Sequence, residues 1–136
     1  MQVQDASRSR NTPSPARLRK WVRASASGPT EVTVRVVGAA EGRRLNLAYR
    51  GNDYATNVLT FAYEDGLGDI VLCHSVIARE AREQGKPLEA HYAHLTVHGM
   101  LHLRGYDHER SGEASRMERA EVRILKGLGH PNPYLA

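Results

Sequence analysis

The chain has 136 residues, of which 40% are hydrophobic and 25% charged, with a formal net charge of +4. That length supports one modest core, so residues 1–136 are read as a single domain. One cysteine, Cys73, excludes an internal disulfide framework, and no apolar run approaches the ~20 residues of a membrane span, so the expectation is a cytoplasmic protein with no membrane partner.

Residues 1–14 are polar and expected to be poorly ordered, apart from a short strand near Gln2–Gln4. Arginines here have no apolar segment behind them, unlike a signal peptide. Arg8, Arg10, Arg17, Arg19, Lys20 and Arg23, opposed only by Asp5, form either a solvated face or a surface that attracts phosphate. Pro15 opens a helix with Leu18, Trp21 and Val22 on one side. Glu31–Val37 alternates as a strand with Val32, Val34 and Val36 on its buried face. Ala39–Tyr49 reads as a helix broken by Gly51-Asn52-Asp53, Val58–Tyr63 as a second strand and Asp69–Cys73 as a third. Cys73 follows Ile70-Val71-Leu72 and is read as a small buried hydrophobe. His74–Gln84 is a helix stopped by Gly85, and a helix after Pro87 ends at Gly105. Ser111 caps a last helix with Ala114, Met117, Ile124, Leu125 and Leu128 as its apolar stripe. Strands interspersed with helices on one core make an α+β domain.

The strongest local signal is His98-Gly-Met-Leu-His102-Leu-Arg-Gly105-Tyr-Asp-His108. His98 and His102 lie one helical turn apart on one face, and Gly105 lets the chain turn so that His108 supplies a third nitrogen. Three imidazoles with one open position is the layout of a catalytic metal site rather than a closed structural one. The metal expected is one zinc ion; imidazoles without thiolates also suit nickel, copper or iron. Peptidases with this spacing carry a glutamate after the first histidine as general base, and here that position is Gly99. His91 and His94 share the arc of His98 and His102. His94 either lines the site and transfers a proton or is a hydrogen-bonded, partly buried histidine; for His91 the second reading is preferred. Asp107 either orients a ligand imidazole or bonds backbone amides at the turn. The opposite side carries Leu95, Val97, Leu101 and Leu103 for the core.

A second constellation precedes it: Leu45-Asn46-Leu47-Ala48-Tyr49-Arg50, Asn57-Val58-Leu59-Thr60-Phe61 and Gly68-Asp69. Alone, Arg50 at a helix end is an ordinary surface residue near the negative end of the helix dipole. Together with the histidine motif, these segments resemble the YbeY family of bacterial metal-dependent endoribonucleases over roughly residues 30–134. In that family's pattern Thr60 stands for a usual serine, Ala62 for a usual proline, and the loop between Glu64 and Gly68 is short.

The resemblance implies a zincin-like fold, a small mixed sheet packed with helices, and a metal site at the end of a central helix. It implies zinc on His98, His102 and His108, a catalytic Arg50, and RNA contacts from Arg50 and Asn57, with His94 as a further candidate. It also implies action on single-stranded 16S rRNA, in 3′-end maturation and ribosome quality control, with the small ribosomal subunit and its assembly factors as partners. With one Trp, one Phe and six Tyr, base stacking platforms are sparse and sequence-specific reading is not expected. The rival readings are a non-catalytic, zinc-stabilised rRNA assembly factor and a zinc hydrolase of another substrate.

Overall fold

The computed structural model describes residues 1–64, 66–106 and 111–135. Asp107 and His108 of the histidine motif lie outside them. In chain order the elements are β1 (Gln2–Asp5), α1 (Pro15–Ser25), β2 (Glu31–Val37), α2 (Ala39–Arg50), β3 (Val58–Glu64), β4 (Leu67–Cys73), α3 (His74–Gln84), α4 (Leu88–Leu103) and α5 (Ser111–Gly127). The α+β expectation is met by a four-stranded mixed sheet of order β1-β2-β4-β3, in which only β3 is antiparallel to its neighbour. Within residues 1–14, expected to be poorly ordered, Gln2–Asp5 pairs in parallel with β2 as strand β1.

The local reasons for these elements are ordinary chemistry. Ser14 Oγ accepts from the Arg17 amide at the start of α1, with Pro15 just inside. Both α2 and α3 stop at glycines in the left-handed region, Gly51 (φ 74°) and Gly85 (φ 65°), where a side chain would be strained. Alternation in β2 and β4 sends Val32, Val34, Val36, Ile70 and Leu72 to the main core with Leu18, Trp21, Tyr92, Val97 and Met100. The other sheet face forms a smaller core of Val37, Leu59, Val71, Cys73 and Val76. Cys73 is therefore the buried hydrophobe its neighbours suggested.

Two glycines let α4 approach the sheet. A Cβ on Gly99 would press on the Ile70 side chain at 3.1 Å, and one on Gly68 would lie 2.3 Å from the Phe61 carbonyl and 2.6 Å from Leu103. The helix thus lies directly on β4, and its C-terminal end comes to rest beside edge strand β3. Position 99 faces the sheet, so a glutamate base there would have no room. Among the described residues no helix is long and apolar enough to cross a membrane.

Candidate metal centre

The spacing of the α4 histidines becomes a ladder of rings along one side of the helix. Ring centroids are 6.1 Å apart for His91–His94, 6.3 Å for His94–His98 and 4.7 Å for His98–His102. The other side of α4, with Leu95, Val97, Leu101 and Leu103, is buried as expected. Gly105 (φ 92°) then turns the chain away, its amide and that of Tyr106 bonding back to the His102 and Leu101 carbonyls.

His98 faces two ways. Its Nδ1 donates to Glu121 Oε1 of α5, in a short contact. A carboxylate can only accept, so Nδ1 carries a hydrogen, and Nε2 is the nitrogen left to offer a lone pair whenever the ring holds a single proton. That Nε2 lies 3.2 Å from His102 Nε2. Nitrogens at this separation can share a proton or ligate one cation.

Glu121 is fully buried and was missed by the sequence reading. His94 Nε2 donates to its Oε2 at 3.1 Å, and the Tyr134 hydroxyl donates to the same oxygen. Burial alone would raise the Glu121 carboxyl; the hydrogen bonds from His94, His98 and Tyr134, with the charge of His98, outweigh it and lower the carboxyl to about 2. Among the described residues no lysine or arginine pairs with this buried carboxylate, so its charge calls for a cation nearby. Burial and the Glu121 charge push the Tyr134 phenol up, which keeps it a donor. His94, His98 and Glu121 form a group that could hold a metal ion, their donor atoms all within 4.8 Å of one another.

A cleft of about 520 Å³ opens on the His98–His102 side, lined by Arg50, Asn57, Val58, Leu59, Thr60, Ala62, His98 and His102. The structure therefore brings together residues from α2, β3 and α4. Arg50 arrives because Gly51 ends α2 immediately after it, and because Asn46, buried in α2, donates to the Tyr54 carbonyl at 2.8 Å and braces the following loop. The guanidinium reaches the edge strand, donating to the Thr60 carbonyl at 2.8 Å, with Cζ 5.3 Å from the Phe61 ring centre.

Asn57 lines the same cleft but is already engaged: its oxygen accepts from the Val58 amide at 2.6 Å and its nitrogen donates to Glu80 at 3.0 Å. Glu80 also accepts from His91 Nε2 at 2.9 Å. His94 does not line the cleft; its Nε2 is held by Glu121 and its Nδ1 is buried without a partner. His91 is placed as the hydrogen-bonded reading has it, whereas His94 is both hydrogen-bonded to Glu121 and part of the group that could hold a metal ion.

Comparisons with known proteins show the family and the fold. A family model described as endoribonuclease YbeY matches residues 6–129. The endoribonuclease YbeY of Aromatoleum aromaticum is 62% identical over 126 residues, covering 90% of this chain and 82% of the relative. That of Thiobacillus denitrificans is 53% identical over 137 residues, covering 97% and 93%. The solution structure of TM1509 from Thermotoga maritima, 24% identical, matches with a TM-score of 0.62 over 98% of this chain and 99% of that one, and shows the shared fold. The family match begins well before residue 30, where the motif resemblance starts, and so takes in α1 and most of the N-terminal segment.

Proposed function

The chain belongs to the YbeY family of endoribonucleases, and from that premise we propose that it is a metal-dependent enzyme cutting single-stranded RNA, acting in 16S rRNA 3′-end maturation, rRNA processing and ribosome quality control. The observation that carries the chemistry is the cleft itself, whose lining includes one arginine and two imidazoles. The ion proposed is zinc, held by His98, His102 and His108.

The described ligands fit such an ion. Two nitrogens at zinc-ligand distance and tetrahedral angle lie about 3.3–3.4 Å apart, close to the 3.2 Å between His98 and His102 Nε2. Glu121 on the far nitrogen of His98 fixes the tautomer that offers Nε2, a common outer-shell arrangement around metal-binding histidines. It also supplies negative charge close to the ion. When bound, the ion supplies a Lewis acid for a phosphoryl oxygen and acidifies water near neutral pH.

Arg50 has five N–H donors, and bracing against Thr60 and Phe61 leaves donors for a phosphate. It would hold the scissile phosphate and offset the charge that grows on its oxygens. Asn57 supports this wall by tying the start of β3 to Glu80 of α3, and would touch RNA at the cleft rim only with the hydrogen-bonding capacity those partners leave. β3 is one of the sheet's two edge strands and lines the cleft, so an unpaired RNA backbone can run beside it. Peptide hydrolysis is disfavoured because Gly99 abuts Ile70 and no carboxylate stands in the usual base position.

The test measures metal content and cleavage of a labelled single-stranded RNA for wild type, His102→Ala and Arg50→Ala from identical nuclease-free preparations. Wild type should bind one zinc per chain and cut. His102→Ala should lose metal and cleavage, the latter by roughly 10³-fold or more. Arg50→Ala should keep its metal and lose ~10²–10³-fold in rate. Cleavage unchanged across all three would mean a contaminating nuclease and sink the reading. If chelation unfolded the protein instead of leaving it folded and inactive, the metal would be structural.

A further inference from the structure

Strand β3 turns Val58, Thr60 and Ala62 toward the cleft and Phe61 to the opposite sheet face, where Tyr63, at the register shift between Ala62 and Glu64, bonds Asp69, the residue paired with Phe61. That second face carries aromatic surface for which the fold has no evident use. Tyr49 is 63% exposed and Tyr63 65% exposed, with Phe61 half-buried between β3 and the end of α2. The Tyr49 and Phe61 rings meet edge to face at 5.3 Å. Scattered exposed aromatics are normal, but these adjoin Arg50, which bonds the Thr60 carbonyl and lies over Phe61. The arginine therefore spans the sheet edge, with the cleft on one side of it and the tyrosines on the other.

We propose that Tyr49, with Tyr63 beside it, is a stacking platform for an unpaired nucleobase of the RNA strand, belonging to a nucleotide that flanks the phosphate held by Arg50. This deepens the endoribonuclease reading and rests on it. The occupant follows from continuity and charge. A strand whose phosphate sits on Arg50 crosses the sheet edge at that residue, and the next π-face it meets is Tyr49. The Tyr63 end is acidic: its hydroxyl donates to Asp69 Oδ2 at 2.6 Å, and Glu64 ends the strand. Phosphates are therefore kept toward α2, where Arg44 lies exposed, Arg43 being paired with Asp53, and only a base reaches over the rings. Tyr49 should accordingly matter more than Tyr63. Stacking accepts any base, so the platform gives grip without sequence reading.

The experiment scans a labelled single-stranded RNA with an abasic nucleotide at each position, using the metal-loaded enzyme. In wild type, removing one flanking base should lower kcat/KM on the order of 10-fold, the usual scale for one base–aromatic stack. Tyr49→Ala and Tyr49→Leu should be as slow on intact RNA, mainly through KM, and lose nothing more on the abasic one. Tyr49→Phe, which keeps the ring, should match wild type on both. The platform is overturned if Tyr49→Ala slows intact and abasic RNA alike, since the ring would then serve only to pack Phe61. It is overturned also if no base matters while wild type still cuts. A wild-type enzyme that does not cut would instead remove the endoribonuclease reading, and the platform with it.

Discussion

Helices α4 and α5 meet where Glu121 accepts from the imidazoles of His98 and His94, but contribute to that cluster in opposite ways. α4 brings a run of histidines whose spacing alone places them on one face, so its part of the centre is encoded within a few turns of chain. α5 brings a single carboxylate, Glu121, which means nothing until α5 packs on α4 and the Tyr134 segment folds back over both. The difference teaches that ligand geometry here is local, whereas the groups that set the ligand's tautomer and charge are assembled by tertiary structure.

The sharpest way to break that comparison, after His102→Ala, is to remove the α5 contribution. Glu121→Ala should weaken metal binding 10–100-fold in competition with a chelator, the usual cost of losing a partner that orients a ligand histidine. It also leaves the N–H groups of His98 and His94 without their acceptor. Glu121→Gln preserves the volume and keeps one acceptor oxygen, so it should lose less affinity and remain folded by circular dichroism. X-ray absorption at the metal should show unchanged nitrogen ligation in that variant. Loss of a first-shell oxygen would instead make Glu121 a ligand, and affinities within about 3-fold of wild type in both variants would reduce it to packing.

A smaller effect tests the other face of α4. Gly99→Ala gains about 1 kcal/mol in helix propensity but pushes a methyl to 3.1 Å from Ile70, which is fully buried and cannot step aside. Overpacking costs ~1–3 kcal/mol, so urea unfolding should show net destabilisation of about 1 kcal/mol. Metal affinity should not change, because the methyl points into the sheet. A coupled fall in affinity would mean that the two faces of α4 are not independent.

How much of this was legible in the sequence follows the same division. Elements with a clear period appeared where expected: β2 from its alternating valines, α3 ended by Gly85, and α4 bounded by Pro87 and Gly105. His98 and His102 came together because four residues make one turn. The family motif singled out Arg50 as a catalytic candidate, and the structure shows how it comes to share a cleft with them: α2 ends at Gly51 beside β3, whose residues line the same cleft. Strand β1 was faint because four mostly polar residues with one partner strand leave almost no pattern. Glu121 was missed although a signal existed. It falls at the middle of Met117–Glu121–Leu125, four residues from each, so a carboxylate sits in an apolar stripe. A charge on a buried arc must find donors or a cation, and the histidine face of α4 was the obvious supplier. Tyr134 carried no such signal, because it follows the last helix in a segment without period.

That residue yields the smallest expected effect and the finest test of how far the centre extends along the chain. Tyr134→Phe removes one donor from Glu121 but leaves the two imidazole donors and the ring, which packs edge-on against His94 with centroids 5.4 Å apart. A single hydrogen bond of this kind contributes ~0.5–1.5 kcal/mol net. Because Tyr134 is half exposed, water can replace much of it. Metal affinity should therefore fall less than about 5-fold, with unfolding stability lowered by under ~1 kcal/mol. A loss as large as that of Glu121→Ala would show that Glu121 needs the tyrosine to stay aimed at His98. The C-terminal segment would then be part of the metal centre rather than its cover.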